Sequence, residues 1–243
     1  MTRILIISDI HANLNALETV LTTAGKVDAV WCLGDLVGYG PDPNACIELL
    51  KEQPNLACVC GNHDAAVLGR INLSVFNYEA RESLSWTKKV LTENNLDYLR
   101  SLPDSIHQGD CLLVHGSPMN PLREYILDGF IATLNFKAFE EKCCMAGHSH
   151  IPNVFFMDDD RKMVDYLAVY DGDTFDLKEK NILNPGSVGQ PRDHDPRASF
   201  VLFYPEIGRW ENKRLEYDIR AVQQKIRQAM LPEKHAHRLD YGV

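Results

Sequence analysis

Leu56-Ala57-Cys58-Val59-Cys60-Gly61-Asn62-His63-Asp64 is an apolar run that ends in residues of a different character. Its apolar part has the length of a short strand buried on both faces of a sheet. A strand ending in Gly-Asn-His-Asp delivers three polar side chains to one spot at its carboxyl end, where open α/β sheets bind their ligands. Asparagine can offer a metal a neutral carbonyl oxygen, and the adjacent histidine can move a proton. Alone the tetrad proves little. Its weight depends on matching groups at other strand ends.

Those groups are present. The run at 3–8 leads into Asp9-Ile10-His11, and the run at 28–33 into Gly34-Asp35. Leu14, Leu17, Leu21 and Ala24 recur at helical spacing behind Asn13 as a cap, and 41–52 also reads as a helix. Three rounds of strand, polar motif and helix predict a βαβ series with a parallel sheet. A helical pattern covers 64–102, with Trp86, Val90 and Leu91 facing the core and Pro103 as the stop. Strands at 111–114 and 143–146 end in His115-Gly116 and Gly147-His148-Ser149-His150, with a helix near 131–141 between them.

After Pro152 the texture changes. Short β-like runs at 154–157, 162–169, 174–177, 181–183, 198–204 and 209–217 are divided by Asp- and Gly-rich turns. They predict antiparallel hairpins forming a second sheet. Ile219, Val222, Ile226 and Met230 mark a final amphipathic helix stopped at Pro232, and 239–243 carries no readable pattern. Without an internal repeat or linker, one domain over 1–243 is expected. It would take its ligand-bearing strand ends from 9–150, and its hairpins and C-terminal helix from 151–232.

Composition is ordinary for a globular chain of 243 residues, with 45% apolar and 24% charged. No apolar run approaches the ~20 residues of a membrane span. The first residues reach an aspartate too soon for a signal peptide, so the cytoplasm is the expected location. Seven cysteines without a framework of even spacings predict reduced thiols. Cys58-x-Cys60 and Cys143-Cys144 lack Cys-x-x-Cys spacing and are expected as buried apolar filler. A net charge of −9 with no long Lys/Arg run is a poor match to nucleic acid in bulk. Bound divalent cations would place the strongest positive field inside the site and keep an anionic substrate open.

Asp9, His11, Asp35, Asn62, His63, His115, His148 and His150 thus stand at the ends of five apolar strands. Residues two apart on a strand point to the same side, so Asp9 with His11 and His148 with His150 would act as pairs. Imidazoles, carboxylates and an amide carbonyl together suit Mn²⁺, Fe²⁺ or Zn²⁺. The set exceeds one tetrahedral ion and fits two ions ~3.5–4 Å apart that share a carboxylate. Such a pair lowers the pKa of water from 15.7 toward ~7 and takes up charge on phosphoryl oxygens. His63 would add a proton for the leaving oxygen. Each piece has a bland alternative: Asp9 or Asp35 as a cap, His115 as a buried histidine, Gly147-x-Ser149 as a turn. Those alternatives would have to hold at five strand ends at once.

In this order, Asp9-x-His11, Gly34-Asp35, Gly61-Asn62-His63-Asp64, His115-Gly116 and Gly147-His148-Ser149-His150 resemble the signature of the calcineurin-like metallophosphoesterase superfamily. Asn184-Pro185-Gly186-Ser187 is similar to a downstream motif of its small prokaryotic branch, which includes YfcE-type phosphodiesterases. The resemblance runs from Ile4 to Asp218. It implies an α/β fold, α+β in some schemes: a four-layer α/β/β/α sandwich of two packed mixed sheets flanked by helices. Asp9, His11, Asp35 and His150 would hold one metal; Asp35, Asn62, His115 and His148 would hold the other, with Asp35 bridging. His63 would be the general acid or transition-state stabiliser. The implied cofactors are two divalent ions, Mn²⁺ first, with Fe, Zn, Ni or Mg as alternatives. The implied reaction is phosphate-ester hydrolysis by in-line attack of a metal-bridging hydroxide.

One departure bears on the substrate. Protein serine/threonine phosphatases carry Gly-Asp-x-x-Asp-Arg-Gly, and here Gly38 and Tyr39 stand at the second aspartate and the arginine. The expected partner is therefore a small phosphodiester, nucleotide or dinucleoside polyphosphate rather than a phosphoprotein. His63 is left without its usual orienting aspartate, and Asp64 is either that partner or a helix cap. Arg192, on a Gly/Pro-shaped loop, either forks onto a phosphate oxygen or pairs with Asp193 or Asp195. Arg123 and Tyr125 would line the pocket. Tyr39 either stacks on a substrate ring or packs beneath its turn. Rival functions are a weak or degenerate metal-binding scaffold and a mononuclear hydrolase of another bond. Homo-oligomerisation is left open, and no membrane partner is expected.

Overall fold

Period-two alternation assigns the first strand to two layers at once. In Ile4–Ile7, Leu5 and Ile7 join a core with Ala16, Leu17 and Val20 of the following helix. Ile4 and Ile6 face the other way, into a core with Leu113, Met145 and Leu183. A strand apolar on both faces is buried on both faces, and each fully buried aliphatic side chain contributes about 1.5–3 kcal/mol.

The computed structural model describes residues 1–158, 163–177 and 180–243. Its strands are β1 (Ile4–Ile7), β2 (Ala29–Cys32), β3 (Ala57–Cys58), β4 (Ser105–Gln108), β5 (Cys111–Val114), β6 (Cys143–Met145), β7 (Asn153–Asp158), β8 (Met163–Ala168), β9 (Thr174–Asp176), β10 (Asn181–Asn184), β11 (Ala198–Tyr204) and β12 (Arg209–Leu215). Its helices are α1 (Leu14–Ala24), α2 (Pro43–Lys51), α3 (Asn62–Val67), α4 (Tyr78–Val90), α5 (Glu93–Ser101), α6 (Gly129–Asn135), α7 (Ile219–Gln228) and α8 (Glu233–Leu239). Side-chain caps open several of them: Asn13 accepts from Ala16 N, Asn77 from Ala80 N, Asp128 from Ile131 N and Asp218 from Ala221 N.

Two six-stranded mixed sheets result, ordered β3-β2-β1-β11-β12-β9 and β4-β5-β6-β10-β7-β8. β1, β2 and β3 run parallel in the first; β5, β6 and β10 run parallel in the second. Ile6, Trp31, Val201 and Trp210 of the first sheet meet Leu113, Met145 and Leu183 of the second in an inner core. Leu112, Val114, Phe155 and Ile182 on the second sheet's outer face pack with Ala132 and Phe136. With the α1 and α2 side of the first sheet, this gives the four layers of the expected α/β/β/α sandwich.

The structure corrects several local expectations. The strands after Pro152 do not form a sheet of their own: β9, β11 and β12 complete the first, while β7, β8 and β10 complete the second. The motif-bearing strands are likewise split between sheets. β4 and α8 had no recognised signal, and the pattern at 64–102 breaks into separate helices. Val90 is 37% exposed and Met230 is 90% exposed, beyond the end of α7. Lys162, the expected start of a strand, lies outside the described residues. Cys111 and Cys143 form a disulfide, against the expectation that all thiols are reduced. Their parallel strands place them opposite one another, with Cα atoms 4.7 Å apart. The other five cysteines are free and buried. No helix among the described residues is long and apolar enough to cross a membrane.

Candidate metal centre and its cleft

Five of the motif residues lie just past their strands, in loops with left-handed backbone. Asp9, His11, Asp35, His148 and His150 have φ of 54°, 48°, 53°, 65° and 62°. Strand alternation, the expected reason for pairing Asp9 with His11, therefore does not operate; turns bring these side chains together. For residues with a Cβ this backbone costs roughly 1–2 kcal/mol each, and such strain gathers at functional sites. Gly147 permits a close approach between the two sheets' loops. A Cβ there would meet Ser8 Oγ at 2.0 Å and Asp9 Oδ2 at 2.9 Å.

The downstream Asn184-Pro185-Gly186-Ser187 motif braces these loops. Asn184 Nδ2 donates to the Gly147 carbonyl at 2.6 Å and to Ser149 Oγ at 3.0 Å. Ser187 Oγ donates to the Asp9 carbonyl at 2.8 Å.

Asp35 lies at the centre. Its Oδ2 is 3.5 Å from His11 Nε2 and 3.4 Å from His115 Nε2. His11 Nε2 is 3.1 Å from His150 Nε2, which is 3.2 Å from Asp9 Oδ1. On the other side, His115 Nε2 is 2.8 Å from Asn62 Oδ1 and 3.1 Å from His148 Nδ1. Two groups able to hold a metal emerge, Asp9-His11-Asp35-His150 and Asp35-His115-His148, with Asn62 beside the second.

Hydrogen bonds fix which nitrogen each ring turns inward. His11, His115 and His150 each donate from Nδ1 to a backbone carbonyl, of Val37, Leu33 and Gln190, at 3.0, 2.8 and 2.5 Å. His148 does the reverse, donating from Nε2 to the Arg123 carbonyl at 3.2 Å. A carbonyl only accepts, so each ring, when neutral, presents a lone pair to the centre. Burial pushes His11 and His148 well below the ordinary histidine range and His150 down to about 4. Lone pair then faces lone pair, and Asp9 Oδ1 is buried with no hydrogen-bond partner among the described residues. Burial, with the Asp64 and Asp9 carboxylates, pushes Asp35 well above its ordinary value. Divalent cations answer all of these imbalances, and this donor set fits them.

The tetrad that ends β3 is a helix start. Asn62 and His63 occupy the first turn of α3, with Gly61 as the cap residue. Asp64 accepts from Gly61 N, Leu36 N and Val37 N at 2.9, 3.0 and 3.2 Å, which ties α3 to the loop carrying Asp35. His63 N donates to Asp35 Oδ1 at 2.8 Å. Its Nδ1 is buried without a partner among the described residues and abuts Gly38.

A cleft of about 340 Å³ opens over this centre, with Asp35, Asn62, His63, His148 and His150 in its floor. Arg123, Tyr125 and Arg192 line it, as does Arg238 of α8, a residue with no recognised sequence signal. Only the His235–Leu239 spacing on one helical face could have pointed to α8. Tyr39 is buried yet also lines this cleft, 4.5 Å from the rings of His11 and His63 and 4.9 Å from His235. Tyr125 stacks on His148 at 3.8 Å. Arg192 does not pair with its neighbouring aspartates, because Asp193 pairs with Arg214 and Asp195 with Arg197. Its Nη2 instead donates to the Tyr39 hydroxyl at 3.3 Å and to Gln190 Oε1 at 3.4 Å.

Residues 2–206 match the calcineurin-like phosphoesterase superfamily domain. The chain belongs to the calcineurin-like phosphoesterase superfamily. A metallophosphoesterase from Sphaerobacter thermophilus is 47% identical, with a TM-score of 0.92 over 100% of this chain and 99% of that one. An uncharacterized protein of Methanocaldococcus jannaschii is 38% identical, with 98% of both chains covered. A symmetrical bis(5'-nucleosyl)-tetraphosphatase of Photorhabdus laumondii is 31% identical over 100 residues, covering 35% of this superfamily member and 36% of that protein.

Proposed function

We propose that this chain is a dinuclear-metal phosphoesterase acting on small phosphate esters, with phosphodiesters and nucleotides preferred over phosphoproteins. The observation that carries the reading is the single Asp35 oxygen facing His11 on one side and His115 on the other. In the proposed assignment Asp9, His11, Asp35 and His150 hold one ion, and Asp35, Asn62, His115 and His148 hold the second. When bound, two such ions, Mn²⁺ foremost, supply an activated water and neutralise phosphoryl charge.

The protein's own groups do the rest. Backbone carbonyls lock each imidazole in the tautomer that binds a cation. His63, held by its backbone bond to Asp35, offers Nε2 to the oxygen that leaves as the P–O bond breaks. Burial and the Arg192 charge keep this ring well below the ordinary histidine range, so a neutral N–H supports the developing negative charge. Arg192, without a side-chain carboxylate partner among the described residues, would fork onto a phosphoryl oxygen. The preference against phosphoproteins rests on Gly38 and Tyr39, and the partial similarity to a bis(5'-nucleosyl)-tetraphosphatase supports a nucleotide-like substrate. A degenerate scaffold is disfavoured because every ligand position and His63 retain metal- or proton-competent side chains.

Titrating Mn²⁺ into metal-stripped protein with bis-p-nitrophenyl phosphate and p-nitrophenyl phosphate tests the proposal. Metal-dependent release of nitrophenolate is expected; none from either ester would reject an active phosphoesterase.

A further inference from the structure

The cleft holds more positive charge than one reacting phosphoryl group requires. The guanidinium carbons of Arg192 and Arg238 each lie 6.0 Å from the centre of the Tyr39 ring, one from the loop after β10 and one from α8. Both arginines are half-buried and line the same cleft. Neither pairs with an aspartate or glutamate side chain among the described residues. Asp193 and Asp195 pair with Arg214 and Arg197. Glu79, whose field reaches Arg238, is itself paired with Lys234 at 3.2 Å.

Their hydrogen bonding is also incomplete. Arg238 Nε donates to the main-chain oxygen of Val243, but its two Nη groups donate to nothing among the described residues. Arg192 Nε is buried with no acceptor among the described residues. Burial and the Arg192 charge lower Arg238 below the ordinary arginine range. Two like charges drawn toward one ring and partly removed from water are unfavourable unless an anion joins them. The planar guanidinium fork fits phosphate oxygens.

We propose that Arg192 and Arg238, flanking Tyr39, form a second phosphoryl subsite beside the metal centre. The substrate then carries a second phosphoryl group next to the one that reacts, as nucleoside di- and triphosphates do. The proposal rests on the phosphoesterase reading above. The apolar wall of Ile71, Val75 and Phe76 suits the nucleoside end of such a molecule. Arg238 lies beyond residues 2–206, so this charge is added by the C-terminal helix rather than by the matched superfamily domain.

Calorimetric titration of the Mn²⁺-loaded protein with ADP, AMP and inorganic phosphate tests the subsite. ADP should bind about tenfold more tightly than AMP, and Arg238→Gln should bring the two within about twofold. Arg192→Gln should narrow the same ratio, and Arg238→Lys should restore part of it, which separates a lost charge from a damaged fold. An ADP-to-AMP ratio as large in Arg238→Gln as in wild type would overturn the proposal. So would Arg238-dependent binding of inorganic phosphate to AMP-saturated protein, which would assign the subsite to free phosphate. A discriminating ratio in a protein that hydrolyses neither nitrophenyl ester would support the subsite while rejecting the phosphoesterase reading.

Discussion

Gly38 lies against the ring of His63 so closely that a Cβ on it would stand 2.3 Å from Nδ1 and 3.1 Å from Cγ. Its φ of 88° is also one that residues with a Cβ adopt at a cost. The position where protein phosphatases place an aspartate is therefore a surface against which the imidazole rests. His63 is oriented by packing, with Phe76 edge-on at 5.1 Å and Tyr39 at 4.5 Å, and by its backbone bond to Asp35.

Gly38→Ala should displace this ring. We expect kcat to fall by roughly 10–100-fold and stability by about 1–3 kcal/mol, with both metals retained. Steady-state kinetics, metal analysis and urea unfolding on one preparation check this. Unchanged kcat would show that the contact does not position His63.

Replacing His63 by alanine should leave the metal content unaltered and lower kcat by about 10²–10⁴-fold. Elemental analysis separates the two roles. Loss of a metal would mean that His63 is a ligand.

The Asp/His cluster that could hold metal was legible in the sequence because its members follow apolar runs, and apolar runs are the strongest local signal of buried strands. The partition of those strands was not. β1 and β5 look alike in sequence, and only long-range pairing sends one to each sheet. The left-handed turns at Asp9, His11 and His148 were equally hidden, since no local rule favours that backbone for aspartate or histidine over a strand. Asp64 was legible as a cap or a partner, and three backbone N–H groups decide for the cap. Arg238 was missed because its short helix docks through tertiary contacts.

Asp64→Ala should be costly in stability rather than in chemistry. Three buried N–H groups lose a charged acceptor, which predicts a loss of about 3 kcal/mol. A fall in the urea midpoint with an unchanged m-value is the expected result. A change below about 0.5 kcal/mol would refute the capping role.

His235 gives the fold an acid-side sensitivity. Burial pulls it down to about 4 from an ordinary 6.5, so between those values the unfolded chain binds a proton that the folded chain does not. Its contribution is full above pH 6.5 and is lost as pH falls toward 4. Urea midpoints at about pH 7 and pH 5 should differ less in His235→Gln than in wild type. Equal pH dependence in both would place the sensitivity elsewhere.

The proposed chemistry depends on two ions sharing Asp35. Electron paramagnetic resonance of metal-stripped protein titrated with Mn²⁺ tests it most directly, because ions ~3.5–4 Å apart couple magnetically. Two ions per chain with a coupled signal are expected, and Asp35→Asn should abolish the coupling. A single site, or two sites that remain magnetically independent, would contradict it.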